Sequence, residues 1–213
     1  MFAQLDKQCI YIKNKKVIKM ANYVISDTHF GSEKVIRVHN RPFIDSKAMD
    51  YFMVTRWNEI VNERDTVYFI GDFGNKEMMD KLNGNIIYIR GNNDDFGIHY
   101  MSLKYKHEKF YMVHIPNHVL KNWNKYKSWL LHGHLHNDNI SKYPFINGMQ
   151  RTINTSVEMI GYKPISLDYI LSLNYEYIKY MNYSDSKIIW KSASDIEFGR
   201  NESEMLRNQK NSD

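Results

Sequence analysis

Asn22-Tyr23-Val24-Ile25-Ser26-Asp27-Thr28-His29 decides the fold, because a short apolar run stops there on an acid and an imidazole two residues apart. Thr66-Val67-Tyr68-Phe69-Ile70 repeats the device and stops on Gly71-Asp72. Residues 86–90 repeat it again, before Gly91-Asn92-Asn93-Asp94. Short apolar runs bounded by glycine and polar residues fit strands buried on both faces. Between the first two runs, 46–62 reads as an amphipathic helix with Met49, Phe52, Met53, Trp57 and Ile60 on one face. A shorter helix is expected at 76–82. Strands alternating with helices predict an α/β fold around a largely buried sheet. In such sheets, functional residues sit at the carboxyl ends of the strands, where these polar clusters fall.

Outward from this core, 110–114, 129–132 and 152–157 read as further strands, 167–171 as a helix after the turn at Pro164, and 175–181 with 187–190 as a closing hairpin. The first 20 residues are set apart as a basic arm or extra strand, 21–192 as one domain and 193–213 as a polar tail; Met20 is a plausible natural start. Over 213 residues, 43% are hydrophobic, 14% aromatic and 25% charged, which excludes a disordered, coiled-coil or collagen-like chain. No apolar run has the length of a membrane span, and the lysine-rich start lacks a signal peptide's apolar stretch. The single cysteine, Cys9, excludes an internal disulfide framework and a cysteine metal site, so the cytosol is the expected compartment and no membrane is expected as a partner. Net charge is +5, but residues 1–20 carry +4 and residues 195–213 carry −2, leaving +3 for the rest. That is an ordinary surface, and nucleic acid is an expected partner only through the arm.

Ligand chemistry gathers at five strand ends: Asp27-Thr28-His29, Gly71-Asp72, Gly91-Asn92-Asn93-Asp94, His114, and Gly133-His134-Leu135-His136. In extended chain residues i and i+2 point the same way, so Asp27 pairs with His29 and His134 with His136. Carboxylate and imidazole donors without sulfur suit Mn²⁺, Fe²⁺, Zn²⁺ or Ni²⁺. A carboxylate such as Asp72 has two oxygens and can bridge two ions, and two ions about 3.5–4 Å apart can clamp a phosphoryl group and generate a hydroxide nucleophile. Taken singly, Asp-x-His or His-x-His is an accident of surface or core more often than a ligand pair, and Gly-Asp after a strand is ordinarily a turn. Five such sites in one order, each closing an apolar strand, point to a two-metal centre.

This series resembles the calcineurin-like metallophosphoesterase superfamily, with the likeness running from Tyr23 to Leu171. Arg41-Pro42-Phe43, Trp57-Asn58, Gly71-Asp72-Phe73-Gly74 and Tyr162-Lys163-Pro164 are similar to stretches of its small bacterial and phage members. The resemblance implies a four-layer αββα sandwich. It also implies that Asp27, His29, Asp72 and His136 hold one ion while Asp72, Asn92, His114 and His134 hold the other. Manganese is the expected ion, with iron, zinc or nickel as alternatives.

One position departs from the pattern. The family's third motif reads Gly-Asn-His-Asp/Glu, its histidine helping to protonate the leaving group, and here that place is Asn93. A carboxamide does not donate a proton near neutral pH, whereas imidazole does. Asp94 keeps its acidic place without a ring to orient, and Asp72, Asn93 and Asp94 stand as the residues nearest the chemistry. His99 and His118 are candidate substitutes for the missing acid. The loop 30–45 carries Lys34, Arg37, His39 and Arg41. Of these, Arg37, His39 and Arg41 are expected to contact substrate phosphate, the alternative being a solvated loop. Trp123 and Tyr126, in 117–128, either stack a base or pack.

The expected function is a metal-dependent phosphohydrolase using hydroxide attack on phosphorus, as a phosphodiesterase acting on nucleotide-like or cyclic-nucleotide diesters. The alternatives are a phosphomonoesterase, a nuclease supported by the basic arm, and a binding scaffold. Intact ligands argue against the scaffold, since buried ligands without metal are costly polar groups. No Gly-x-Ser-x-Gly elbow supports a serine hydrolase.

Overall fold

Branched and aromatic side chains with no intervening charge make β1 (Asn22–Ile25), β2 (Thr66–Ile70) and β3 (Asn85–Ile89) a parallel trio. The computed structural model describes residues 20–118 and 128–173, with the backbones of 180–182 and 189–190. Residues 1–19, the polar tail, and Trp123 and Tyr126 lie outside the described residues. β9 (Ile165–Ser166) pairs antiparallel with β1 and completes a sheet of order β3-β2-β1-β9. The second sheet runs β11-β10-β7-β8-β6-β5-β4. It is built from β4 (Met101–Tyr105), β5 (Glu108–Met112), β6 (Trp129–His132), β7 (Ile146–Asn147), β8 (Thr152–Asn154), β10 (Tyr180–Asn182) and β11 (Ile189–Trp190).

Val24, Phe69, Ile89, Phe110, Met112, Leu131 and Ile153 belong to one continuous apolar cluster shared by both sheets. Tyr111, Val113 and Leu130, on the alternate positions of the second sheet, form a separate cluster. The architecture is the α/β, αββα sandwich expected from the sequence, with the sheets as its inner layers. Helices α1 (Glu33–Val38) and α2 (Ser46–Asn58) join β1 to β2, and α3 (Leu167–Ser172) follows β9. No helix among the described residues is long and apolar enough to cross a membrane.

Several boundaries move for identifiable reasons. Asp45 caps α2 by accepting from Ala48 N at 2.7 Å, and Met49, Met53 and Trp57 are buried at the spacing of one helix face. The helix stops at Asn58 rather than 62, because Asp65 draws the next turn away by accepting from Asn62 N at 2.8 Å. Phe52, expected in the core, is 40% exposed and packs against Phe43. The 76–82 helix is a 3₁₀ segment, Lys76–Lys81. Part of the expected 30–45 loop is α1, and β4 forms where the sequence reading places no strand. The closing hairpin is present but shorter, as the antiparallel pair β10 and β11.

The site is placed by a seam between the sheets. Ser26 N donates to Thr155 O at 3.0 Å, Val157 N donates to Ser26 O at 3.2 Å, and Thr155 N donates to His132 O at 2.8 Å. These bonds fasten the carboxyl end of β1 to those of β6 and β8, so ligands from both sheets face one cleft.

Candidate metal centre

Two buried carboxylates form the middle of the site. Asp27, fully buried after β1, accepts from Ser26 Oγ at 2.6 Å, Ser156 Oγ at 2.9 Å and His134 N at 3.0 Å. Asp72, after β2, accepts from Asn93 N at 2.9 Å and Asn93 Nδ2 at 2.6 Å. Its Oδ2 also lies 3.5 Å from His29 Nε2 and 3.4 Å from His114 Nε2. His136 Nε2 lies 3.6 Å from Asp27 Oδ1. Donor atoms of Asp27, His29 and His136, and of Asp27, Asp72 and His114, fall within 4.8 Å of one another. Asn92 joins through its Oδ1, 3.0 Å from His114 Nε2, and the His134 ring meets His114 edge-on at 5.3 Å between centroids. The seven residues expected to hold metal therefore converge on one place.

The backbone that presents Asp27 with His29 and His134 with His136 is not the extended chain expected for them. Asp27 (φ 59°), His29 (φ 48°), Asp72 (φ 60°), His134 (φ 71°) and His136 (φ 44°) all occupy the left-handed region. Such conformations cost of order 1–3 kcal/mol each and gather where geometry serves function. Gly91 leaves the space that Asp72 fills, since a Cβ there would collide with the Asp72 backbone nitrogen and carboxylate.

The electrostatics call for a cation. Burial alone would raise the Asp72 carboxyl, but hydrogen bonding and charge from His114 hold it far below the ordinary carboxylate range. Burial disfavours charge on His114, yet Asp72 and Asp27 outweigh it and lift the ring to about 9. His114 Nδ1 donates to Ile70 O at 2.9 Å, so the additional proton sits on Nε2, the atom facing the carboxylates. A divalent ion would take that proton's place. Burial keeps His29 and His134 below the ordinary imidazole value although Asp27 and Asp72 pull the other way, with charge on His114 adding to the effect of burial at His134, and the neutral ring is the form a metal needs. His29 Nε2 is buried without a hydrogen bond, as an unused donor to metal would be. The residues present fit divalent ions.

The cleft, about 410 Å³, is lined by His29, Ser32, Lys34, Val35, Val38, His39, Asp72, Asn92, Asn93, His134 and His136. His39 stacks on His136 at 3.7 Å and pairs its Nδ1 with Asp138 at 3.1 Å. It is the one imidazole among the described residues that lines the cleft without belonging to the expected ligand set. His99 and His118 are exposed and lie outside the lining.

Three placements differ from expectation. Arg41, expected on substrate phosphate, has no exposed side-chain surface. Its guanidinium is spent on Thr28 O at 2.8 Å, Asp27 O at 2.7 Å and Glu158 Oε1 at 2.8 Å. Arg37 is exposed and outside the cleft lining. Asp94 turns inward and ties the second motif to the third, accepting from Asp72 N at 2.7 Å, Phe73 N at 3.0 Å and Gly91 N at 2.9 Å. Sequence reasoning missed Glu158, whose side chain is buried against Arg41 and accepts from His136 Nδ1 at 2.9 Å. Burial raises its carboxyl, but His136 and Arg41 bring it down to about 2. It follows the expected 152–157 strand, so the strand-end pattern that exposed the other acids applied to it as well.

Comparison with known proteins agrees with the site. Over 161 residues the chain is 41% identical to an uncharacterized protein of Methanocaldococcus jannaschii, covering 71% of this chain and 89% of that one. The fold is similar to that of a protein of unknown function from Aquifex aeolicus, with a TM-score of 0.56, 22% identity, and coverage of 72% of this chain and 99% of that chain. The calcineurin-like phosphoesterase superfamily domain matches residues 20–154, a span that holds every expected ligand from Asp27 to His136. The chain belongs to the calcineurin-like phosphoesterase superfamily.

Proposed function

We propose that this chain is a two-metal phosphohydrolase that prefers phosphodiesters with nucleotide-like or otherwise acidic leaving groups. The observation that carries the reading is Asp72 Oδ2, set between His29 Nε2 at 3.5 Å and His114 Nε2 at 3.4 Å. One ion would be held by Asp27, His29, Asp72 and His136, and the other by Asp72, Asn92, His114 and His134, with manganese the favoured metal. Bound there, such ions supply charge for the phosphoryl oxygens and an activated water. The chain's own residues do the rest. Lys34 brings a cation to the cleft wall, Val35 and Val38 give that wall an apolar strip, and His39, which lines the same cleft, would face the substrate.

Diester preference follows from Asn93. Its Nδ2 donates to Asp72 Oδ2 at 2.6 Å, so the carboxamide braces the bridging carboxylate and brings no labile proton to a leaving oxygen. A missing general acid costs roughly 10²–10⁴-fold where the leaving group needs a proton. Diesters carry one negative charge fewer, and acidic leaving groups depart unprotonated. The test compares a monoester of an ordinary alcohol with an aryl diester on wild type and on Asn93→His. Wild type should favour the diester, and Asn93→His should raise monoester turnover selectively. A wild type that favours the monoester, or an Asn93→His variant that slows both substrates equally, would refute the preference.

A further inference from the structure

Two stretches outside the ligand motifs meet behind the cleft. Phe43, of Arg41-Pro42-Phe43, packs edge-on against Tyr162, of Tyr162-Lys163-Pro164, at 5.0 Å between ring centroids and 83° between planes. Beside them, Arg41 Nε donates to Glu158 Oε1 at 2.8 Å, and Arg41 Nη2 lies 2.8 Å from the same oxygen. The side-chain exposures are 0% for Arg41 and 2% for Glu158. A buried ion pair of this kind is a poor way to stabilise a fold, because desolvating both charges offsets most of their attraction. Its position suggests a different use. Glu158 Oε1 also accepts from His136 Nδ1 at 2.9 Å, and Arg41 donates to the carbonyl oxygens of Asp27 and Thr28, the backbone between two ligands.

We propose that Glu158, held by Arg41, is a positioning residue that locks His136 with Nε2 toward the metal, while the same guanidinium fixes the backbone presenting Asp27 and His29. The inference rests on the two-metal reading above. With Nδ1–H committed to a carboxylate, the lone pair is confined to Nε2, the atom 3.6 Å from Asp27 Oδ1. Carboxylate partners of this kind fix a ligating imidazole's tautomer and raise its basicity. The arrangement joins Arg41, His136 and Glu158, and Glu158 lies beyond the 20–154 span that matches the family. One ion should depend on this pair, the ion held by Asp27, His29 and His136.

The experiment titrates chelator-stripped, full-length protein with Mn²⁺ and follows the free ion by electron paramagnetic resonance. Wild type is compared with Glu158→Gln and with Arg41→Lys, which keeps the charge and loses the fork. Each variant should bind one of its two ions about 10–100-fold more weakly and the other with wild-type affinity. With Mn²⁺ saturating, kcat for an aryl diester should fall while KM stays near wild type. Both variants binding both ions with wild-type constants would overturn the inference and leave the two-metal reading intact. Failure of both variants to fold would overturn it in favour of a purely structural clamp. A wild type that binds no Mn²⁺ would overturn both readings.

Discussion

Replacing Gly71 by alanine separates backbone strain from collision at the metal centre. Gly71 sits at φ +82°, and a Cβ there would lie 2.5 Å from His114 Nδ1, 2.7 Å from His114 Cγ and 2.7 Å from Gly91 Cα. Ordinary contact needs about 3.5 Å, so ring and backbone would have to part by about 1 Å. His114 is 2% exposed and tied to Ile70 O, which leaves it little room to retreat. The left-handed backbone costs an L-residue about 1–2 kcal/mol. Overpacking adds about 1–3 kcal/mol, for a total of about 2–5 kcal/mol. Gly31 is the control, because its φ is +80° while its nearest neighbour, Asn75 Cβ, is 3.4 Å from the added carbon. Gly31→Ala should therefore show the strain alone, about 1–2 kcal/mol. Urea unfolding of the metal-free proteins reads the difference, and repeating it with Mn²⁺ reads the site. Gly31→Ala should gain the same metal stabilisation as wild type, and Gly71→Ala should gain much less. Equal destabilisation of the two variants, with full Mn²⁺ stabilisation of both, would show that no collision with His114 occurs.

Asp72→Asn should lower metal content and diester turnover more than His114→Ala does, because Asp72 faces both imidazole groups and its loss loosens both ions; elemental analysis beside rate constants checks the order. Asp65 is 3% exposed and accepts from Ala21 N and Asn62 N, both at 2.8 Å. Asp65→Asn should then cost about 1–3 kcal/mol near neutral pH in a denaturant titration. Burial tends to raise the Asp65 carboxyl, but those hydrogen bonds bring it below its ordinary value. Its contribution is thus complete above the unfolded value of about 3.9 and is lost as pH falls through the folded one. The gap between wild type and Asp65→Asn should narrow in acid, and a gap that widens would contradict the assignment.

The candidate metal centre was legible because its signals are local. Apolar strands ending in Asp27-x-His29, Gly71-Asp72 and His134-x-His136 carry their own spacing, and the parallel trio β1, β2 and β3 follows from the same runs. β4 was missed although Met101, Leu103 and Tyr105 alternate with exposed Ser102 and Lys104, because its half-buried edge lacks a strong apolar run. The inward turn of Arg41 was illegible for another reason. Its partner Glu158 is 117 residues away, and no local periodicity encodes a contact at that distance. Asp94 misled because an acid after Gly-Asn-x suggests chemistry, whereas its oxygens are occupied by three backbone N–H groups that only the tertiary fold brings together.

Asp27, His29, Asp72, Asn92, His114, His134 and His136 are proposed to assemble a two-metal phosphoesterase centre. Its most direct test is diester hydrolysis by one preparation, first stripped by chelator and then reloaded with Mn²⁺, with bound metal counted at each stage. Turnover should be absent when the protein is stripped and should recover in step with metal, up to two ions per chain. Undiminished turnover by the stripped protein would contradict the proposal.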